Sequence, residues 1–159
     1  MLIDFLRLIK GFILVIGPKE AGKTSILRRL VTGTFEEHKP TLGFHEEKIA
    51  RMRIIEIGGH QNFKDYWKIA LEQSPVHIFY VIDITKKSEF TDYRQFLDDF
   101  NHSYPQLTEK TTLIANKIDL TIKIPEHFKE IKSIILSSAK NGEGMFDILE
   151  TIAKYKDSV

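Results

Sequence analysis

Gly17-Pro-Lys-Glu-Ala-Gly22-Lys23-Thr24 follows the apolar run Phe12 to Ile16 and leads directly into a helical pattern. This is the G-x-x-x-x-G-K-[ST] spacing in the strand-then-helix context that its chemistry requires. Gly17 and Gly22 let the backbone wrap so that successive N–H groups face a phosphate, and the helix that follows adds its positive N-terminal end. Lys23 is placed to bridge β- and γ-phosphates, and the Thr24 hydroxyl to ligate Mg²⁺. The residues expected to line this cradle are Gly17, Glu20, Ala21, Gly22, Lys23, Thr24 and Ser25. Lys19, on the same turn, reads as a solvated side chain.

A phosphate loop does not choose a base, but Asn116-Lys117-Ile118-Asp119 at the end of a later apolar run does. Guanine presents N1–H and an exocyclic amino group as adjacent donors, and a single carboxylate, Asp119, accepts both. Adenine lacks that donor pair. Lys117 is expected to lay its stem on the base, and Asn116 to brace neighbouring loops. Ser137-Ser138-Ala139-Lys140 follows the last apolar run. By likeness to Ras-type proteins, this loop would place the Ala139 N–H against guanine O6, with Ser138 and Lys140 beside it.

The elements that must position these loops are legible as six β-rich runs: Phe12 to Ile16, Phe44 to Ile49, Arg53 to Ile57, His77 to Asp83, Thr112 to Asn116 and Ser133 to Ser137. Four are nearly all apolar, which fits strands covered on both faces. Helical patterns lie between them at Lys23 to Leu30, within Gln61 to Leu71, at Phe90 to His102, at Glu126 to Glu130 and at Met145 to Tyr155. The expected fold is α/β, a doubly wound P-loop NTPase (Ras-like) with a mostly parallel six-stranded sheet and helices on both faces. Only Ala50, Arg51 and Met52 separate the second and third runs, too few for a crossover, so these should form a hairpin with one antiparallel edge strand.

The 159 residues suit one domain, expected as a nucleotide-binding unit over 11–159 preceded by an amphipathic helix over 1–10. A net charge of +1 gives no basic field, so nucleic acid is not an expected partner. With no Cys there is no disulfide, thiolate metal site or thiol catalysis, which is compatible with a reducing cytosol. Position 2 is Leu, so the N-myristoylation pattern is missing, and the first ten residues are too short to span a bilayer.

Pro40-Thr41-Leu42-Gly43-Phe44 and Glu56-Ile57-Gly58-Gly59-His60 resemble the two switch segments of the Arf/Sar family of small GTPases. The resemblance runs through most of the chain. It implies GTP and GDP as ligands with Mg²⁺, a GTP/GDP switch with slow intrinsic hydrolysis, and a place in membrane-associated trafficking or signalling. It implies that Thr41 contacts Mg²⁺ and the γ-phosphate, that Gly59 N–H bonds a γ-phosphate oxygen, and that His60 orients the attacking water, as the similar Sar branch has His there. Lys23, Thr41 and His60 are then the catalytic set, and Thr24, Thr41 and Glu56 the metal set. Glu56 stands where the family has Asp, one methylene shorter. The hairpin is shorter than an Arf interswitch, Ile55 replaces an expected Trp in the aromatic effector patch, and the stretch Leu120 to Lys132 is too short for the usual long helix.

Effector, exchange-factor and activating proteins are the implied partners, meeting the switch segments, the hairpin and the neighbourhood of Phe63, Tyr66 and Trp67. No cis arginine finger is evident among Arg28, Arg29, Arg51 and Arg53, which read as helix-face and hairpin charges. The alternative is a guanine-nucleotide-binding module with little or no turnover, acting as an interaction scaffold. An ATP-using P-loop kinase or ATPase is disfavoured by Asn116 to Asp119 and by the lack of a lid segment in the sequence. Residues 1–10 have two readings, a reversible peripheral membrane anchor on a cytoplasmic protein or a helix folded back onto the core.

Overall fold

Strands β1 (Phe12–Ile16), β4 (His77–Asp83) and β5 (Thr111–Asn116) are buried along their whole length, as continuous apolar runs demand when helices cover both sheet faces. The computed structural model describes residues 2–35, 43–59, 64–121 and 123–157. β1, β4 and β5 are joined by β2 (Phe44–Ile49), β3 (Met52–Ile57) and β6 (Ile134–Leu136) in the order β2-β3-β1-β4-β5-β6. All neighbours are parallel except β2, which pairs antiparallel with β3 at the edge. The expected fold class is therefore observed.

Alternation along each strand sorts the core into two layers. Leu14, Ile55, Tyr80 and Leu113 face α1 (Leu2–Leu8), α3 (Lys64–Glu72), α4 (Lys87–Phe100) and α5 (Leu107–Lys110). Ile13, Val15, Ile54, Val81 and Ile114 face α2 (Lys23–Thr32) and α6 (Met145–Ala153). α5 has no counterpart in the sequence reading, because four residues are too few to show a period. Between Leu120 and Lys132 the described residues form no long helix; Glu126–Glu130 is a 3₁₀ turn.

The hairpin closes one residue tighter than expected. Ile49 pairs with Met52, leaving Ala50 and Arg51 as a two-residue turn with φ of 51° and 68°. Positive φ at both positions is the type I′ pattern, normally written Asn-Gly, so the sequence carries no signal for it. α4 likewise begins at Lys87 rather than Phe90. Its polar first turn is held by Glu89, whose buried carboxylate accepts the Asp83 backbone N–H at 2.9 Å.

Of the two readings of residues 1–10, the structure has the helix folded back. Leu6 and Ile9 are fully buried in the same core layer as Ala70 and Leu71 of α3. Phe5 stacks on Phe44 of the hairpin at 4.6 Å, with the Arg53 guanidinium 5.8 Å from the Phe5 ring. Leu8 remains 79% exposed.

Trp67 corrects an expectation. It is not part of an exposed partner surface but is buried on α3, edge-on to Tyr80 at 6.1 Å and Phe96 at 6.2 Å. Its position in the inward stripe with Ala70 and Leu71 follows from helical spacing. Among the described residues its indole N–H finds no acceptor. Ile55 is also buried, whereas Phe44 keeps part of its ring exposed.

Candidate functional site

The crossover from β1 to α2 and the end of β3 meet at the carboxyl edge of the sheet, where strand order reverses about β1. Ligands of doubly wound sheets bind at such an edge. A cavity of about 410 Å³ opens there, within the usual range for small-molecule sites. Glu20, Gly22, Lys23, Thr24 and Ser25 line it from the first loop, and Glu56, Gly58 and Gly59 from the end of β3. Asn116, Lys117, Asp119, Ala139 and Lys140 close it from the other side, with Lys19, Phe35 and Leu120 at its margins. Residues nearly a hundred positions apart thus share one cavity. Gly17, Ala21 and Ser138 stand just behind that lining and shape it through the contacts below. Thr41 and His60, predicted to contact the γ-phosphate and the attacking water, lie outside the described residues.

Glycine is required where the loops approach most closely. A Cβ on Gly17, which has φ of 143°, would lie 2.1 Å from the Val81 carbonyl oxygen. One on Gly22, with φ of 103°, would lie 2.2 Å from Asn116 Nδ2. The phosphate-type loop is therefore pressed against β4 and the Asn116 side chain. Asn116 is buried and makes three hydrogen bonds through its amide: Nδ2 donates to the Ala21 carbonyl at 3.0 Å, and Oδ1 accepts from Ser137 Oγ at 3.0 Å and from Ala139 N–H at 3.3 Å. The expected bracing by Asn116 is present. The Ala139 N–H, expected to face guanine O6, is engaged by a long bond to Asn116 instead.

Lys117 adopts a left-handed conformation at φ 70° and returns its ammonium to the Glu20 carbonyl at 2.8 Å and to Asp83 Oδ2 at 3.2 Å. Its stem is thereby stretched across the cavity wall. Asp83 belongs to no sequence motif; its signal is a charged residue ending an otherwise apolar buried strand, because strand carboxyl ends carry sites in this topology. The Asp83 carboxylate is desolvated, which pushes its pKa up, but bonds from Thr85 and the Lys117 ammonium outweigh this and hold it below its ordinary value. Glu89, behind it, is raised by burial. Asp119, which lines the cavity, is fixed by the Ser138 hydroxyl, which donates to its Oδ1 at 2.8 Å.

At the other end of the cavity the Lys23 ammonium donates to the carbonyls of Gly17 at 2.9 Å and Pro18 at 2.6 Å. An ammonium has three donors, so one remains for an anion. Burial pulls the Lys23 pKa down to about 8, against the upward pull of Glu56 and Glu89. A buried cation whose charged form is disfavoured gains most from an anionic ligand, and phosphate fits that need. The Thr24 hydroxyl faces the Glu56 carboxylate with both oxygens at 2.8 Å. The described residues hold no cluster of three or more His, Cys, Asp or Glu able to seat a metal alone. One hydroxyl and one carboxylate beside a phosphate seat fit Mg²⁺, a hard ion that is completed by substrate phosphates and water. Gly58 N–H donates to the Gly43 carbonyl at 2.9 Å, tying the two ends of the hairpin together.

Comparison with known proteins agrees with this geometry. The model of the ADP-ribosylation factor family matches residues 5–156. Human ADP-ribosylation factor-like protein 9 is 33% identical over 140 residues, covering 84% of this chain and 72% of that protein. ADP-ribosylation factor-like protein 1 of Saccharomyces cerevisiae is 29% identical over 153 residues, covering 87% of this chain and 83% of that protein. Ras-related protein Rab-32C of Dictyostelium discoideum is 27% identical over 164 residues, covering 89% of this chain and 71% of that protein. The chain belongs to the ADP-ribosylation factor family of small GTP-binding switch proteins.

Proposed function

We propose that the protein is a slow GTPase switch that binds GTP and GDP with Mg²⁺ and signals its nucleotide state through the hairpin and the segments around Thr41 and His60. The observation that carries this reading is the convergence of the Gly17–Thr24 loop, Gly59, Asp119 and Ala139 on one carboxyl-edge site. In this reading the loop N–H groups and Lys23 hold the phosphates, and Asp119, positioned by Ser138, accepts both guanine donors. Mg²⁺, when bound, neutralises phosphate charge, and Thr24, Thr41 and Glu56 would hold it. His60 accepts a hydrogen bond from the attacking water and directs it in line with the γ-phosphorus.

Turnover without a partner should be slow, on the order of 10⁻⁴ per second. Two arginines near the site support a need for an outside cation: Arg28 of α2 pairs with Glu47 of the hairpin at 2.7 Å, and Arg53 pairs with Glu46 within the hairpin at 2.8 Å. An activating protein would supply the missing charge, and an exchange factor would open the site. No described helix is long and apolar enough to cross a membrane. The reading places the protein in the cytoplasm, with reversible membrane contact through residues 1–10 when α1 leaves its groove. Trafficking or signalling at a membrane surface is the role that fits such contact.

Single-turnover hydrolysis of GTP with Mg²⁺ tests the enzymatic part. The wild type is expected to turn over slowly, and His60→Ala to lose most of that rate. Tight GTP binding with no His60-dependent turnover would favour the nucleotide-binding scaffold instead.

A further inference from the structure

We propose that the crevice at the amino edge of the sheet, between the end of α3 and the turn into α5, is a second ligand site that takes a small carboxylate with a short apolar body. It lies at the opposite end of the strands from the nucleotide cavity and does not depend on the nucleotide reading.

Two turns of the chain build it. α3 ends at Glu72, and the Ser74 N–H closes back on the Leu71 carbonyl at 3.0 Å before Pro75 leads toward β4. After α4, the Leu107 N–H returns to the Tyr104 carbonyl at 3.1 Å, and α5 delivers the chain to β5. β4 and β5 are neighbours, with Ile78 opposite Thr111, so both turns stand over one sheet edge. The space between them measures about 230 Å³. Ser74 and Gln106 hold the turns at φ of 52° and 71°, the left-handed region that is costly for a residue with a Cβ. Such conformations gather at ligand clamps, where the surrounding structure holds them in place.

The lining combines two chemistries. Leu71, Ile78 and Leu107 are buried and supply its apolar part, with Pro75 and Pro105 beside them. Ser74, Ser103, Tyr104 and Lys110 bring polar groups. Lys110 is half-buried, and among the described residues its ammonium has neither an acidic partner nor a hydrogen-bond acceptor. Among the described lining residues it alone carries a charge, with three donors to offer. The Tyr104 hydroxyl approaches only the Lys68 carbonyl, at 3.4 Å, so a closer acceptor would win it. One cation flanked by hydroxyls matches a single negative charge, which a carboxylate supplies, whereas a phosphate would leave much of its charge unanswered. The apolar part matches a hydrocarbon body. A volume below the ~300 Å³ of most small-molecule sites limits that body to a short chain or one ring.

The test uses the full chain with hexanoate as the probe, acetate as the same headgroup without the body, and 1-hexanol as the same body without the charge. Trp67, the protein's one tryptophan, is buried on α3 one turn before Leu71, so its fluorescence reports occupancy. Hexanoate should change it saturably and bind about tenfold or more tightly than either counterpart, the worth of one charge-assisted hydrogen bond. Lys110→Met should lose that margin, and Lys110→Arg, which keeps the charge, should retain it. Backbone amide shifts on hexanoate binding should centre on Ser74, Ser103, Tyr104 and Lys110. Equal binding of hexanoate and 1-hexanol would reduce the site to a plain apolar crevice and overturn the proposal. Hexanoate binding undiminished in Lys110→Met, amide shifts centred elsewhere, or no saturable response in either measurement would overturn it equally.

Discussion

Gly59→Ala is the substitution whose effect follows most directly from distances. A Cβ at this position would lie 2.3 Å from Lys19 N, 2.4 Å from the Gly17 carbonyl oxygen and 2.5 Å from the Pro18 carbonyl carbon. All three are backbone atoms of the phosphate loop, so no side chain can rotate to relieve the overlap. Restoring ordinary contact requires the segment after β3 to withdraw by about 1 Å. The Gly59 N–H, which the account places on a γ-phosphate oxygen, would then retreat from about 2.9 Å to about 3.9 Å, beyond hydrogen-bonding range. Loss of one hydrogen bond to a charged group is worth about 1.5 to 3 kcal/mol, or roughly 10- to 150-fold in affinity. GDP lacks the γ-phosphate and should be held nearly as before. Competitive displacement of a fluorescent guanine nucleotide by GTP and by GDP, with Mg²⁺, gives both constants in one assay. Equal weakening of both would mean that the phosphate loop yields rather than the Gly59 segment. Unchanged GTP affinity would remove Gly59 from the γ-phosphate altogether.

Two further predictions concern regions away from the phosphates. His77 sits buried between the Thr112 hydroxyl at 2.7 Å and the Tyr155 hydroxyl at 3.0 Å, and burial first, then the Lys154 charge, lowers its pKa to about 4. Between this value and about 6.5 the unfolded chain binds the proton that the folded chain refuses, so stability is full above that window and falls as pH drops through it. Urea unfolding should show about 2 to 3 kcal/mol less stability at about pH 4.5 than at about pH 7.5 from this group, a component that His77→Gln removes; an identical pH dependence in the variant would contradict the assignment. For α1, membrane contact must compete with burial of Leu6 and Ile9, about 1.5 to 3 kcal/mol each. Co-sedimentation with anionic vesicles should therefore be weak for wild type and stronger for a variant that loosens the groove, such as Ala70→Asp; no gain on loosening would argue against a releasable anchor.

Much of the site could be read from sequence because its chemistry resides in short, contiguous motifs. The phosphate loop and Asn116-Lys117-Ile118-Asp119 both follow apolar runs, and strand burial places both at the same sheet edge. Other parts depend on three-dimensional contacts that leave no local pattern. The Asp83 seat of Lys117 joins the ends of two parallel strands, and Glu89 is drawn inward by a single backbone N–H. Ala50 and Arg51 adopt left-handed conformations that neither residue advertises, so the sequence implies a hairpin turn one residue longer than the structure has. Trp67 departs from expectation because an aromatic near a switch segment suggests a contact surface. The inward stripe it shares with Ala70 and Leu71 indicates core, and burial follows that stripe. The fate of α1 was undecidable from ten residues with apolar side chains on most sides; its neighbours on α3 and the hairpin decide it.

The central claim is that this carboxyl-edge cavity recognises guanine through the Asp119 carboxylate. Binding of fluorescent GTP and ATP analogues to wild type and Asp119→Asn measures it directly. The account predicts that wild type prefers GTP on the order of 10⁴-fold, as sites built around buried hydrogen bonds do. It also predicts that Asp119→Asn loses GTP and gains xanthosine triphosphate, whose carbonyl in place of the amino group accepts from the new amide. Comparable affinity for ATP and GTP in wild type, or GTP binding that survives Asp119→Asn undiminished, would contradict it.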